Sequence, residues 1–114
     1  HNDPLGLISQ KDRQNLNEIL THPDYQYFFG PESAAEVEVQ LPDGSLGRID
    51  RLAVVNNTVF ILDYKTGISP QTVPIFYQQQ LENYACAVQK IYPLYPVRCF
   101  ILWTEGPKLM EIES

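Results

Sequence analysis

Residues 47–65 read GRIDRLAVVNNTVFILDYK. Two runs of β-branched and apolar residues, 47–55 and 58–65, flank Asn56-Asn57. Such residues favour strands, and Asn tolerates the positive φ that a two-residue hairpin turn demands. A turn at that pair sets Leu52 opposite Ile61, Asp50 opposite Asp63 and Arg48 opposite Lys65. Side chains alternate with a period of two. Arg48, Asp50, Asp63 and Lys65 are therefore predicted on one face of the hairpin, with Leu52, Val54, Val59 and Ile61.

Working outward, residues 35–41 (AEVEVQL) alternate, with Glu36, Glu38 and Gln40 on one side and Val37, Val39 and Leu41 on the other. That pattern is a half-buried strand, and Pro42-Asp43-Gly44 ends it in a turn. Upstream, Ser9 and Asp12 resemble a capping box, and Leu16, Ile19 and Leu20 recur at helical spacing before Pro23. A short helix over about residues 10–21 is expected, then a loop over 22–34. Downstream, Tyr77, Leu81, Tyr84, Ala85, Val88 and Ile91 form one stripe of an amphipathic helix over 73–92, stopped by Pro93. Residues 97–103 (VRCFILW) are apolar on both faces apart from Arg98, as in a strand covered on both sides. The helix is then a right-handed crossover joining two parallel strands. Glu105-Gly106-Pro107 turns the chain into a last strand near 108–112. The expected order is α-β-β-β-α-β-β around one mixed sheet, an α/β (mixed α+β) class.

The 114 residues are one domain's worth, and 44% hydrophobic with 11% aromatic is enough to build a core. No apolar run approaches the roughly 18 to 20 residues a membrane helix needs, and no basic-then-apolar leader points to secretion. A cytoplasmic protein without a membrane partner is expected. The chain opens on His1 rather than Met, which reads as a fragment of something longer. The net charge of −6 argues against a general nucleic-acid binder, whose footprint is usually basic. It leaves room for an enzyme that meets nucleic acid through a divalent metal held by carboxylates. Cys86 and Cys99 form no C-x-x-C pair, and two buried thiols in a reducing compartment are expected.

Two aspartates directly opposite on one face would bring like charges within about 5 Å. Protonation of one carboxyl, a neighbouring cation such as Arg48 or Lys65, or a bound divalent metal would each offset them. Lys65, two residues past Asp63, reaches the same space. A metal flanked by a lysine can activate water and stabilise charge developing on a phosphate. A lone D-x-K is ordinarily a pair of solvent-facing charges. Here the same face carries Val59, Ile61, Leu52 and Val54, so the charges sit where burial is costly.

Gly47-Arg48-Ile49-Asp50-Arg51, Ile61-Leu62-Asp63-Tyr64-Lys65-Thr66-Gly67 and Gln80-Leu81-Glu82-Asn83-Tyr84 resemble the G-x-x-D-R, D-Y-K-T-G and Q-x-x-x-Y motifs of RecB-type nucleases of the PD-(D/E)xK superfamily. Glu36, Ile91-Tyr92-Pro93, Val97-Arg98-Cys99 and residues 102–107 extend the likeness to the C-terminal nuclease domain of AddA-type helicase–nucleases. The resemblance covers about residues 18–112. It implies a restriction-endonuclease-like core with a mixed central sheet and flanking helices, the first core helix lying before this fragment. It also implies that residues 1–114 are one domain of a longer helicase–nuclease.

The resemblance further implies that Asp50, Asp63 and the Tyr64 carbonyl bind Mg²⁺ or Mn²⁺, and that Lys65 polarises the attacking water. Gln80 and Tyr84 would line the site and touch substrate, and Arg48 and Arg51 would meet phosphate or pair with acids. On periodicity alone Tyr84 is a core residue and Gln80 a solvated one. RecB-type relatives usually add a histidine from an upstream helix; His1 and His22 do not match that position. Without four cysteines no iron–sulfur cluster is expected. No G-x-x-x-x-G-K-[ST] loop is present, so ATP would bind only in motor domains of the parent chain. The implied function is a metal-dependent deoxyribonuclease (exonuclease) domain acting in double-strand break repair and recombination. It would cut a single DNA strand delivered by the helicase motor, beside an AddB-type partner subunit. The alternatives are a catalytically inactive nuclease fold that guides DNA, and a standalone RecB-like or Cas4-like exonuclease.

Overall fold

The β-branched runs become five strands in the computed structural model, which describes residues 21, 23 and 26–113. They are β1 (Ser33–Gln40), β2 (Leu46–Val55), β3 (Thr58–Ile68), β4 (Val97–Glu105) and β5 (Lys108–Ile112). One helix, α1 (Ile75–Ile91), joins β3 to β4. The fold is mixed α+β, with strands in the order β1-β2-β3-β4-β5. Only β3 and β4 run parallel, as the crossover helix between them requires. Asn56 and Asn57 take φ of 51° and 60°, the two left-handed residues of a type I′ turn, whose twist matches that of the strands it joins. The hairpin keeps the expected register only from Val55 to Arg51, with Leu52 opposite Ile61. The expected Asp50–Asp63 and Arg48–Lys65 pairs do not form, because the β2–β3 ladder stops at Arg51 and Leu62. The Pro42-Asp43-Gly44 turn also forms, held by the Asp43 carboxylate accepting from Ser45 N at 2.9 Å.

The sheet is covered on both faces. On one, Val59, Ile61, Ile101 and Trp103 meet Leu81, Tyr84 and Val88 of α1. On the other, Phe60, Leu62, Phe100 and Leu102 are closed over by Phe28. Phe28 belongs to a 3-10 turn, Gln26–Phe29, and stands edge-on to Phe100 at 5.2 Å and Phe60 at 5.9 Å. Double coverage is why β3 and β4 read as nearly unbroken apolar runs.

Some expectations shift. The stretch expected as loop, 22–34, holds the 3-10 turn and the first residues of β1. The helix expected over 10–21 lies outside the described residues except for helical Thr21. Ile91, counted on the apolar stripe of α1, is the last residue of the helix and is 62% exposed. Cys86 is exposed rather than buried, while Cys99 is partly buried; both are free thiols. Among the described residues no helix is long and apolar enough to cross a membrane.

Candidate active site

The strict alternation expected of β1 breaks at Glu36, which takes a φ of 53°. A non-glycine residue pays for that left-handed conformation in steric strain. Ala35 pairs with Arg51 and Val37 with Ile49, so Glu36 stands across from Asp50. Before this point the paired residues face the Phe28 side: Ala53 packs with Phe28 and Arg51 donates to the Phe28 carbonyl. Beyond it, Val37 and Ile49 pack on the helix side. Both strands change face at Glu36 and Asp50.

The β2–β3 ladder ends at the same place, its last pair being Arg51 and Leu62. From Asp50 back to Leu46, β2 pairs with β1, while β3 from Asp63 onward pairs with β4. In the gap between them, Asp50 Oδ2 accepts the Tyr64 backbone N–H at 2.8 Å, standing in for a strand carbonyl.

Asp63 projects from β3 towards α1 and is 5% exposed. Its Oδ2 lies 2.9 Å from Lys65 Nζ. Burial pushes its carboxyl up to about 6; Lys65 opposes the rise and neighbouring Asp50 adds to it. The two carboxylates and the ammonium therefore share one half-buried space. Lys65 Nζ also donates to Gln80 Oε1 at 2.9 Å and lies 4.3 Å from the centre of the Tyr77 ring. Gln80 Nε2 reaches the Tyr84 hydroxyl at 3.3 Å. Because Gln80 and Tyr84 stand one turn apart on α1, a single helix face presents the lysine's acceptor and that acceptor's own partner.

Asp50, Asp63, Tyr64, Lys65, Gln80 and Tyr84 are thus brought together. The arginines are not. Arg48 lies 3.4 Å from Glu36, with both side chains about two-thirds exposed. Arg51 turns to the opposite face, where Nε donates to the Phe28 carbonyl at 2.7 Å and Nη2 to Ser33 Oγ at 2.8 Å. It ties the 3-10 turn to the sheet, because side chains of adjacent strand residues point to opposite faces. His1 and His22 lie outside the described residues.

Gly47 has a packing reason. A Cβ there would stand 2.9 Å from Tyr84 Cε1 and 3.1 Å from each Leu41 methyl, so only glycine lets the tyrosine ring close on β2. Two neighbours of the site went unassigned in sequence. Tyr77 supports the Lys65 ammonium, and its i, i+3, i+7 spacing with Gln80 and Tyr84 would have placed it there. Trp103, the β4 partner of Lys65, is 4% exposed, and its indole N–H has no hydrogen-bond partner among the described residues.

The two carboxylates, Asp50 and Asp63, are the oxygen donors a hard divalent cation takes, and burial raises the cost of leaving Asp63 ionised without one. Among the described residues no cluster of three or more His, Cys, Asp or Glu side chains assembles.

Residues 9–111 match the sequence model of the PD-(D/E)XK nuclease superfamily. A solved structure titled "Crystal structure of SSO0001" is similar at 18% identity and a TM-score of 0.45, over 98% of this chain and 53% of that one. The chain thus spans about half the length of that structure. No curated protein matches.

Proposed function

The chain belongs to the PD-(D/E)XK nuclease superfamily, and from that premise we propose that it is a Mg²⁺- or Mn²⁺-dependent deoxyribonuclease. The observation that carries this reading is the convergence of Asp50, Asp63 and Lys65 at the split between β2 and β3. Asp50, Asp63 and the Tyr64 carbonyl would hold the cation, which supplies Lewis acidity towards water and phosphate when bound. Lys65, braced by Gln80 and Tyr77, keeps its ammonium where charge develops on the phosphate under attack. Gln80 is in turn held by Tyr84, which fixes its carbonyl towards the lysine. With a net charge of −6, the chain would meet a strand through the cation and the site's own residues rather than through general charge attraction.

The finer reading is a nuclease domain of an AddA-type helicase–nuclease in the cytoplasm. It would hydrolyse a single strand delivered by the motor during double-strand break repair, beside an AddB-type subunit. The three motifs in order, with the matching segments after Ile91, support it. A second reading, a nuclease fold kept for DNA guidance, draws on the two-carboxylate donor set among the described residues.

Cleavage of an end-labelled oligonucleotide by Asp63→Ala and Lys65→Ala variants of the full chain tests both. Loss of at least about 100-fold in each, with Mn²⁺ affinity lost only in Asp63→Ala, is expected. Cleavage at the wild-type rate in either variant refutes the site. No cleavage by the wild type in Mg²⁺ or Mn²⁺ leaves the guidance reading standing.

A further inference from the structure

We propose that Phe76 is a nucleobase-stacking residue of this site, so that the preferred substrate is a strand with unpaired bases; the proposal rests on the nuclease reading above. Phe76 stands in the first turn of α1 and is 69% exposed. Its ring centre lies 6.0 Å from that of Tyr77. The Tyr77 ring lies 4.3 Å from Lys65 Nζ and 6.0 Å from Trp103. Three aromatic residues therefore form a ladder from the buried Trp103 out to Phe76 in solvent, with the lysine beside its middle rung.

The two steps hold Phe76 within about 10 Å of the ammonium, a span that one nucleotide covers from its phosphate to its base. A strand whose phosphate lies at Lys65 would thus carry a flanking base to Phe76. Unpaired bases have free π faces for a ring to stack on, whereas a duplex keeps those faces inside its own stack. An apolar protein segment is a poorer occupant. To cover Phe76 it would have to approach the ammonium and carboxylates within that same span and desolvate them.

The test measures binding of a fluorescent oligothymidylate and of an abasic strand of equal length, with Ca²⁺ replacing Mg²⁺. The wild type is expected to bind the thymidylate about tenfold tighter than the abasic strand. Phe76→Ala should abolish that preference while leaving abasic binding and the melting temperature unchanged, as suits an exposed side chain. Phe76→Trp should restore the preference. Equal binding of both strands by the wild type, binding of neither, or equal weakening of both in Phe76→Ala overturns the proposal. The nuclease reading fails separately. Base-dependent binding without cleavage in Mg²⁺ or Mn²⁺ keeps the stacking residue and refutes the nuclease, while cleavage with an unchanged KM in Phe76→Ala overturns the stacking residue alone.

Discussion

Replacing Asp63 by Asn removes a charge from a side chain that is 5% exposed and keeps its size. The carboxyl is pushed up from 3.8 to about 6, chiefly by burial. The folded chain therefore holds this proton more tightly than the unfolded one. With the folded value the higher, the stabilisation from the protonated form is complete below about pH 4 and is lost as pH rises through about 6. One pKa unit is worth about 1.4 kcal/mol, so the ionised carboxylate costs the metal-free fold on the order of 3 kcal/mol at neutral pH. Asp63→Asn is expected to melt on the order of 10 °C above the wild type in EDTA near neutral pH. Near pH 4 the gap should close. Adding Mn²⁺ should raise the wild type by mass action and leave the variant unmoved, narrowing the gap from the other side. Circular-dichroism melts across that pH range, with EDTA or Mn²⁺, measure both effects. A variant no more stable than the wild type at neutral pH in EDTA would refute the reasoning. The Asp63–Lys65 pair would then outweigh the cost of burial.

Three further outcomes follow from the same geometry. Gly47→Ala drives a methyl into Tyr84 and Leu41 and should cost about 1–3 kcal/mol, read as a lower melting temperature; a wild-type melt would show that Tyr84 can yield. Arg51→Met removes the bonds to the Phe28 carbonyl and Ser33 and should cost about 2 kcal/mol in denaturant unfolding, yet leave Mn²⁺ affinity intact, since Arg51 faces away from the carboxylates. Ellman's reagent at mildly alkaline pH should meet one fast thiol, the exposed Cys86. Burial, with Glu111 nearby, pushes Cys99 up to about 12, so two fast thiols would contradict its placement.

The hairpin was legible because two local signals agree: Asn56-Asn57 supplies both left-handed residues, and period-two alternation then places Asp63 and Lys65 on the helix side. Gln80 and Tyr84 came only from the resemblance to the Q-x-x-x-Y motif, since periodicity alone made one a solvated and the other a core residue. The change of face at Glu36 and Asp50 was not legible. Nothing local to a glutamate announces a φ of 53°, and the register numbers run on unchanged across the break. The arginines show a related limit. Arg48 was set opposite Lys65 by extending the β2–β3 ladder past Arg51, where it no longer exists. The partners of Arg51 come from the 3-10 turn, a tertiary contact that strand periodicity cannot supply.

The split that defeats the register is also what makes the site. A continuous antiparallel ladder would have met the Tyr64 N–H with a β2 carbonyl and set Asp50 across from Asp63 as two like charges. Because β2 pairs with β3 only from Arg51 onward, a carboxylate takes that N–H instead, and Asp50 is anchored by the backbone it approaches. The remaining carboxylate, Asp63, has Lys65 alone as its ion-pair partner among the described residues, on the side where α1 excludes water. Two apolar layers, one under α1 and one under Phe28, supply the stability that lets one ionised group sit at a loss. Moving Asp63 to solvent would stabilise the metal-free fold and remove the shortage of positive charge that makes the site suited to a cation.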